Sequence, residues 1–307
     1  METIECAVIY EWEYDNDFVS ILSGKLTAQE IPHGVFHAAE LKDVLARVRE
    51  KDLHFNCVLD RASDVDDDAE ALVSILRRRG ASIVNDPVEI RHASDKASMH
   101  LEFITAGIYV PYTIIISPYN AQREVKLSIG ELARLGRPFI IKPANTTGGG
   151  IGVVTGAEGL QEVIETRQHH KDDKYLLQRK IDPVRTNGRR AWFRPFYVFG
   201  NVVICWWDDQ THLYHQATGE EISQFALTEI ERIVKKIYSV CKLEFFSTEI
   251  ALDEEGRFIV IDYVNEMCDM RIRSKHFDGV PDTVVEEIAA RLAGGIRELL
   301  LHRRQAS

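Results

Sequence analysis

The sequence has no run of apolar residues long enough to cross a bilayer, which requires roughly 20 of them. Its first stretch, METIECAVIYEW, has acidic residues where a secretory signal peptide needs basic ones. The five cysteines are scattered, odd in number and without a CxxC pair, which is typical of reduced thiols packed in a core. We therefore expect a cytoplasmic protein that has no membrane partner.

The chain also lacks an excess of positive charge. It has 37 basic and 48 acidic side chains and a net charge of −11, which argues against nucleic acid as a general partner. No GxGxxG fingerprint and no Walker loop occurs, so neither a dinucleotide-binding lobe nor a P-loop enzyme is indicated. An NAD-linked oxidoreductase is therefore disfavoured.

What the sequence does contain begins with alternating strands and helices. Short apolar strands are predicted at residues 6–10, 34–36, 55–59 and 81–84, with amphipathic helices at 39–50 and after the acidic run at 64–68. Such alternation predicts a parallel sheet covered by helices on both faces. At 307 residues the chain is long enough for two or three lobes, and we expect an α/β protein whose first lobe is Rossmann-like.

Helices with clear apolar faces are predicted further along the chain. They span residues 95–107, 121–135, 228–243 and 281–302. Thr228 and Glu231 have the spacing of a capping box, and Gly294 and Gly295 interrupt the last helix. That helix packs either across the other lobes or against a second subunit of a homodimer, and the sequence leaves both open.

A glycine-rich segment, RPFIIKPANTTGGGIGVV, is the first feature that indicates chemistry. An apolar strand at residues 138–141 leads to Lys142, and a loop with three consecutive glycines follows. Glycines let backbone N–H groups approach an anion closely, and the lysine adds a point charge. The segment is therefore typical of a phosphate site, although a tight hairpin between two strands is the alternative.

A hairpin of residues 245–266 is the second such feature. If Asp253 pairs with Phe258, Glu249 lies directly opposite Asp262, with their Cβ atoms roughly 5 Å apart. Like charges at that distance repel, and a divalent cation relieves the repulsion. Asn265 adds a neutral oxygen, and all-oxygen ligation suits Mg²⁺ held together with phosphate groups. A solvated acidic face is the alternative.

A lysine with a glycine loop is followed about a hundred residues later by two carboxylates and an asparagine on paired strands. This combination resembles the ATP-grasp superfamily. Its members include D-alanine–D-alanine ligase, glutathione synthetase and the ligases that add glutamate to ribosomal proteins. The resemblance implies a Rossmann-like pre-ATP-grasp domain at 1–93 and a two-lobed ATP-grasp domain at 94–307. The small lobe would span about 119–180 and the metal-binding lobe about 181–307.

The resemblance also implies roles for individual residues. ATP would contact Lys96, Lys142, Thr147, Gly148, Gly149, Gly150, Gln178, Arg179, Lys180, Ile181 and Asp182. Residues 178–181 would give main-chain hydrogen bonds to adenine, and Asp182 would reach the ribose. Lys142 and Arg194 would be catalytic, and Glu249, Asp262 and Asn265 would bind Mg²⁺ or Mn²⁺. The spacing from Asp262 to Asn265 is one residue longer than in the family, which predicts a bulge or a different third ligand.

The function implied is an ATP-dependent ligase that joins a small-molecule carboxylate to an amine through an acyl phosphate. Arg271 and Arg273 follow the metal hairpin and have the chemistry to bind a substrate carboxylate, with a structural salt bridge as the alternative. A kinase of the same fold, which would phosphorylate a hydroxyl, and a non-catalytic ATP-binding module are the other functions considered.

Overall fold

The first sheet is the predicted parallel one. The computed structural model describes residues 2–145 and 152–306. The strands lie in the order β2-β1-β3-β4 and are β1 (Glu2–Tyr10), β2 (His33–His37), β3 (Leu53–Arg61) and β4 (Ser82–Val84). The helices of this lobe are α1 (Asn16–Ala28), α2 (Leu41–Arg49) and α3 (Asp67–Arg78). Helices cover both faces of this sheet, and apolar residues of β1 and β3 lie in a separate cluster on each face, which confirms the interpretation of the sequence.

Two helices connect this lobe to the rest of the chain. They are α4 (Pro87–Ser94) and α5 (Lys96–Thr105). Asp86 caps α4, a helix that the sequence analysis did not predict, and Asp95 caps α5 by accepting hydrogen bonds from Ala97 N and Ser98 N. The helix predicted over 95–107 is thus present, and Lys96 is its first residue.

The small lobe is an antiparallel sheet with the strand order β5-β8-β6-β7. Its elements are β5 (Thr113–Ile116), α6 (Ile129–Leu135), β6 (Phe139–Pro143), β7 (Val154–Ala157), α7 (Leu160–Thr166) and β8 (Tyr175–Arg179). The prediction of a helix over 121–135 was too long, because Ser128 and Glu131 form a capping box at which α6 begins. The sheet also starts at Thr113, earlier than the boundary expected near residue 119.

The C-terminal lobe is built on a five-stranded antiparallel sheet with the order β13-β12-β11-β14-β15. Its strands are β9 (Arg185–Thr186), β10 (Arg189–Arg190), β11 (Trp192–Val198), β12 (Asn201–Trp207), β13 (Tyr214–Gln216), β14 (Phe245–Leu252) and β15 (Phe258–Asn265), with β9 and β10 forming a separate ribbon. Its helices are α8 (Gly219–Gln224), α9 (Thr228–Cys241) and α10 (Asp282–Ala306). The predicted capping box at Thr228 is wrong, because Leu227 is the N-cap residue of α9 and no side chain caps the helix.

Helix α10 joins the first lobe to the C-terminal lobe. One apolar cluster contains residues of α10, of α1 and β1, and of the five-stranded sheet, among them Ile288, Phe18 and Phe196. The helix therefore packs across lobes, and it runs through Gly294 and Gly295 without the predicted interruption. A second cluster, which includes α9 and α5, covers the other face of the sheet, and the small lobe has its own cluster. Within the described residues, no helix combines the length and the apolar character that a membrane span needs.

Candidate active site

A cavity of about 670 Å³ lies between the small lobe and the C-terminal lobe. Strands β6, β7 and β8 line one side, and β11, β12, β14 and β15 line the other. Its volume is within the range of roughly 300–1,000 Å³ that is usual for small-molecule sites. The predicted site residues that line it are Lys96, Lys142, Gln178, Arg179, Lys180, Ile181, Asp182, Glu249, Asp262 and Asn265. Residues from five separate stretches of sequence thus converge on one space.

The two predicted metal-binding carboxylates lie directly opposite each other. Glu249 of β14 pairs with Asp262 of β15, as expected from the sequence, but Phe258 pairs with Leu252 and not with Asp253, so a register shift between Glu249 and Ile250 brings the two carboxylates opposite each other. The register shifts on both sides of this pair, and Asn265 pairs with Ser247. Strand β15 therefore has one extra residue between Asp262 and Asn265, which is the bulge predicted from the longer spacing.

Cationic groups compensate these carboxylates. Arg194 Nη1 lies 3.8 Å from Glu249 Oε1, and Lys142 Nζ lies 3.9 Å from Asp262 Oδ1. The indole Nε1 of Trp192 donates a hydrogen bond of 3.2 Å to Glu249 Oε2. Burial, together with the nearby Asp262 carboxylate, raises the pKa of Glu249. The hairpin is thus a partly buried anionic site, and the alternative of a solvated acidic face is excluded for Glu249.

The donor set fits a magnesium ion. Two carboxylates and one amide line the same cavity, and oxygen ligands of this kind bind Mg²⁺ together with phosphate groups. In the described part of the chain, no group of three or more His, Cys, Asp or Glu side chains is placed to hold a metal. A site made of Glu249, Asp262 and Asn265 therefore needs further oxygens from a ligand, as phosphates would supply.

Two lysines face the cavity from different elements. Lys142 of β6 is 8% exposed, and its ammonium group donates to the carbonyl of Ile261 at 3.0 Å. The backbone N–H of Lys96 donates to the carbonyl of Ala144, just after β6, so the start of α5 is held beside this strand. Burial lowers the pKa of Lys142, and the positive charge of Lys96 lowers it further. A polyanion between them would relieve that repulsion.

The segment after β8 forms another part of the wall. Ladder pairing ends at Arg179, and Lys180, Ile181 and Asp182 then continue along the cavity. Gln178, the residue before this bend, is completely buried and also lines the cavity. The part predicted to contact adenine thus shares one space with the predicted metal site. The predictions for Thr147, Gly148, Gly149 and Gly150 lie outside the described residues.

Three predicted arginines do not line the cavity. Arg194 forms an ion pair with Glu249, which lines the cavity. Arg271 instead forms hydrogen bonds of 2.7–3.1 Å with Asp269 and Asp278. This geometry favours the structural salt bridge that the sequence left open for Arg271. Arg273 donates to the carbonyls of Tyr214 and Gly279, and it lines a second cavity of about 510 Å³.

Sequence reasoning missed several residues of the wall. Trp192, Trp207 and Asp209 line the cavity, as does Arg190, whose guanidinium pairs with Asp209 at 2.6 and 2.9 Å. The available signal was the position of Trp192 two residues before Arg194, which places both side chains on one face of β11.

Comparison with known proteins supports the fold. No protein-family model and no curated protein sequence matched the chain. Among solved structures, D-alanine–D-alanine ligase from Bacillus anthracis complexed with ATP is similar over 99% of both chains, with a TM-score of 0.64 and 14% identity. A RimK domain ATP-grasp protein from Sphaerobacter thermophilus has a TM-score of 0.63 and 18% identity over 95% of this chain and 98% of that one.

A third similar structure was solved with a peptide. The ATP-grasp ligase PsnB, complexed with precursor peptide PsnA2 and AMPPNP, has a TM-score of 0.62 and 12% identity over 97% of this chain and 98% of its own. At such identities the likeness concerns the fold, which confirms the α/β architecture predicted from the sequence.

Proposed function

Because this chain has the ATP-grasp fold, we propose that it is an ATP-dependent ligase that joins a carboxylate to an amine and uses Mg²⁺. The observation that supports this most is the convergence of Lys96, Lys142, Glu249, Asp262 and Asn265 on one cavity. Two cations and an all-oxygen metal site are the parts that positioning a triphosphate requires. Two of the similar structures are named as ligases, and these were solved with ATP or AMPPNP.

The proposed reaction has two steps. A substrate carboxylate oxygen attacks the γ-phosphorus of ATP, the bond to the β–γ bridging oxygen breaks, and ADP leaves. The amine nitrogen then attacks the resulting acyl phosphate, inorganic phosphate leaves, and the amine loses a proton. Lys142 and Arg194 stabilise negative charge near the transferred group by position and electrostatics. Mg²⁺ bound at the hairpin carboxylates would neutralise phosphate charge.

ADP release in the presence of Mg-ATP tests this proposal. We expect a screen of amino acids and small carboxylates to find a substrate that stimulates ADP release, and hydroxylamine to trap its acyl phosphate as a hydroxamate. Hydroxamate distinguishes a ligase from a kinase, because a phosphoester does not react in this way.

The Asp262→Asn substitution removes one metal-binding charge and keeps the size of the side chain. We expect it to reduce stimulated ADP release by at least about 100-fold, as loss of a group that stabilises transferring charge does. Glu254→Gln is the matched control, because Glu254 is exposed in the turn of the same hairpin. Equal loss in both variants, or no loss in Asp262→Asn, would contradict the proposal.

A further inference from the structure

The second cavity, of about 510 Å³, has a basic wall. It lies between the β9–β10 ribbon and the turn that joins β12 to β13. The whole chain has a net charge of −11, so this wall is a local feature and does not reflect a generally basic protein. In the described part of the chain, the arginines and carboxylates that line it are Arg185, Arg189, Arg190, Arg273 and Asp208.

Two of these arginines have no counter-charge. Arg185 donates to the carbonyl of Gly188 at 3.3 Å, and Arg273 donates to the carbonyls of Gly279 and Tyr214 at 3.3 and 2.5 Å. Neither guanidinium forms an ion pair with a described residue, although Arg185 is exposed and Arg273 is half-buried, so that a ligand reaches both. The other two arginines are neutralised, Arg189 by Glu221 at 2.9 Å and Arg190 by Asp209 at 2.6 Å.

The β9–β10 ribbon also places two like charges together. Arg185 pairs directly with Arg190 across the ribbon, and like charges in this position destabilise a pair of strands. Asp209 compensates Arg190 with two hydrogen bonds, whereas no described carboxylate compensates Arg185. The carboxylate of Asp208 instead accepts hydrogen bonds from two backbone N–H groups of its own turn. An anion in the cavity would supply the missing negative charge.

The second cavity adjoins the cavity proposed to bind ATP. Arg190, Trp207 and Gln210 line both of them. The guanidinium of Arg194 lies over the ring of Trp207, 5.4 Å from its centroid, and forms an ion pair with Glu249 of the metal hairpin. A molecule with one end in the second cavity is therefore able to place its other end beside the proposed site of phosphoryl transfer.

We propose that the acid joined by this ligase is a small dicarboxylate, one end of which is bound in the second cavity. This inference rests on the proposed function, because it names the substrate class of that reaction. Arg185 and Arg273 bind the carboxylate that does not react, and the other carboxylate attacks the γ-phosphorus near Arg194. Guanidinium groups bind carboxylates through charge-assisted hydrogen bonds, and the volume of the cavity is that of a small-molecule site.

Fluorescence titration of the full chain with glutarate and with its monoamide, both without nucleotide, tests the inference. The two probes have the same length and differ in one carboxylate, so the ratio of their Kd values isolates the second charge. Trp206 and Trp207 line the cavity, so binding there should change the intrinsic fluorescence. We expect the wild type to bind glutarate at least about tenfold more tightly, as loss of one charge-assisted hydrogen bond implies.

Replacing either unpaired arginine should remove this preference. Arg185→Gln and Arg273→Gln keep a side-chain donor for the carbonyl groups and remove the charge, and each should bring the ratio close to one. Arg232→Gln is the control and should keep the wild-type ratio, because Arg232 is exposed on α9. Since Arg185 is also exposed, its variant keeps the test decisive if Arg273→Gln does not fold.

The failures are distinguishable. No binding of glutarate by the wild type, equal binding of both probes, or an unchanged ratio in either folded arginine variant overturns this inference and leaves the proposed ligase function standing. Hydroxamate formation from monocarboxylates but not from dicarboxylates would also overturn it. No binding of Mg-ATP by the wild type overturns the proposed function, and with it the assignment of this cavity to a substrate.

Discussion

His100 is a buried histidine that is neutral at physiological pH. It is 4% exposed, on α5, and its Nδ1 contacts Tyr263 Oη. Burial, followed by the positive charge of Lys142, lowers its pKa to about 4. An imidazolium here would be desolvated and close to a second cation, so the fold keeps the neutral form.

Acidification should therefore destabilise the protein through His100. The stabilisation is complete above the ordinary pKa of about 6.5 and is lost as the pH falls. This is because His100 in the unfolded chain binds a proton near pH 6.5, whereas folded His100 binds it only at about pH 4. Between pH 7 and pH 5, His100 should lower the unfolding free energy by about 2 kcal/mol. Urea unfolding at both pH values checks this, with His100→Gln expected to show a smaller loss. An equal loss in the variant would contradict the assignment.

The site residues differ in how far the sequence reveals them. Glu249 and Asp262 belong to one hairpin, so the sequence places them near each other, but counting from the observed pair of Leu252 and Phe258 would set Glu249 opposite Ile261, and only a register shift brings it opposite Asp262. Trp192 contacts Glu249 and His100 contacts Tyr263, each from a segment far away in sequence, and no periodicity predicts which side chain of a distant strand they meet. Arg271 shows a further limit, because its neighbour Asp278 follows seven residues later in a loop with no regular repeat.

At the scale of elements, two adjacent glycines of α10 have opposite environments. A Cβ on Gly295 would overlap the ring of Phe199, whereas a Cβ on Gly294 has open space within 4 Å. Gly295 therefore allows the helix to approach the turn between β11 and β12, and Gly294 has no such role.

Alanine at these two positions should act in opposite directions. Gly294→Ala should raise the unfolding free energy by up to about 1 kcal/mol, because alanine favours the helix. Gly295→Ala should lower it by about 1–3 kcal/mol through overpacking against Phe199. Chemical denaturation of both variants is the measurement, and each is the control for the other. Destabilisation of similar size in both would show that the contact with Phe199 is unimportant.

Periodicity located helices better than it located their ends. The apolar face predicted over 121–135 includes Val125, which packs in the small-lobe core without being helical. A local capping box at Ser128 decides where α6 begins. For α9 the apolar face was right and the capping box wrong, because Leu227 is buried and already has helical backbone angles. The burial of Leu227 against neighbouring elements, and not the local Thr228–Glu231 motif, thus decides where α9 begins.

At the scale of the whole molecule, a buried ion pair of the first lobe is hydrogen-bonded to the segment after the β14–β15 hairpin. Arg61 at the end of β3 forms two hydrogen bonds with Asp15, at 2.7 and 2.8 Å, and one with the carbonyl of Cys268 at 2.9 Å. Both side chains are less than 5% exposed, with Arg61 at 4% and Asp15 at 1%. The ion pair thus lies within the first lobe where solvent screening is weak, and the hydrogen bond from Arg61 to the carbonyl of Cys268 links it to the C-terminal lobe.

Removing one residue of this ion pair should destabilise the protein. Asp15→Asn leaves Arg61 buried without its counter-charge and should lower the unfolding free energy by about 3–5 kcal/mol. Replacing both, with Asp15→Asn and Arg61→Met, should recover part of that loss. Urea unfolding measures both. Glu231→Gln, which breaks the exposed pair with Lys235, is the control and should change stability by less than about 1 kcal/mol. A small effect of Asp15→Asn would show that water reaches Arg61.

The packing of α10 also bears on the order of events during synthesis. Strand β1 lies in the same apolar cluster as the helix that begins at Asp282, so the part of this cluster that α10 covers stays exposed until α10 has been translated. The nascent first lobe therefore exposes part of its apolar surface until α10 is synthesised. A chaperone that shields it until α10 emerges would raise the yield of native protein more than one acting on the released chain.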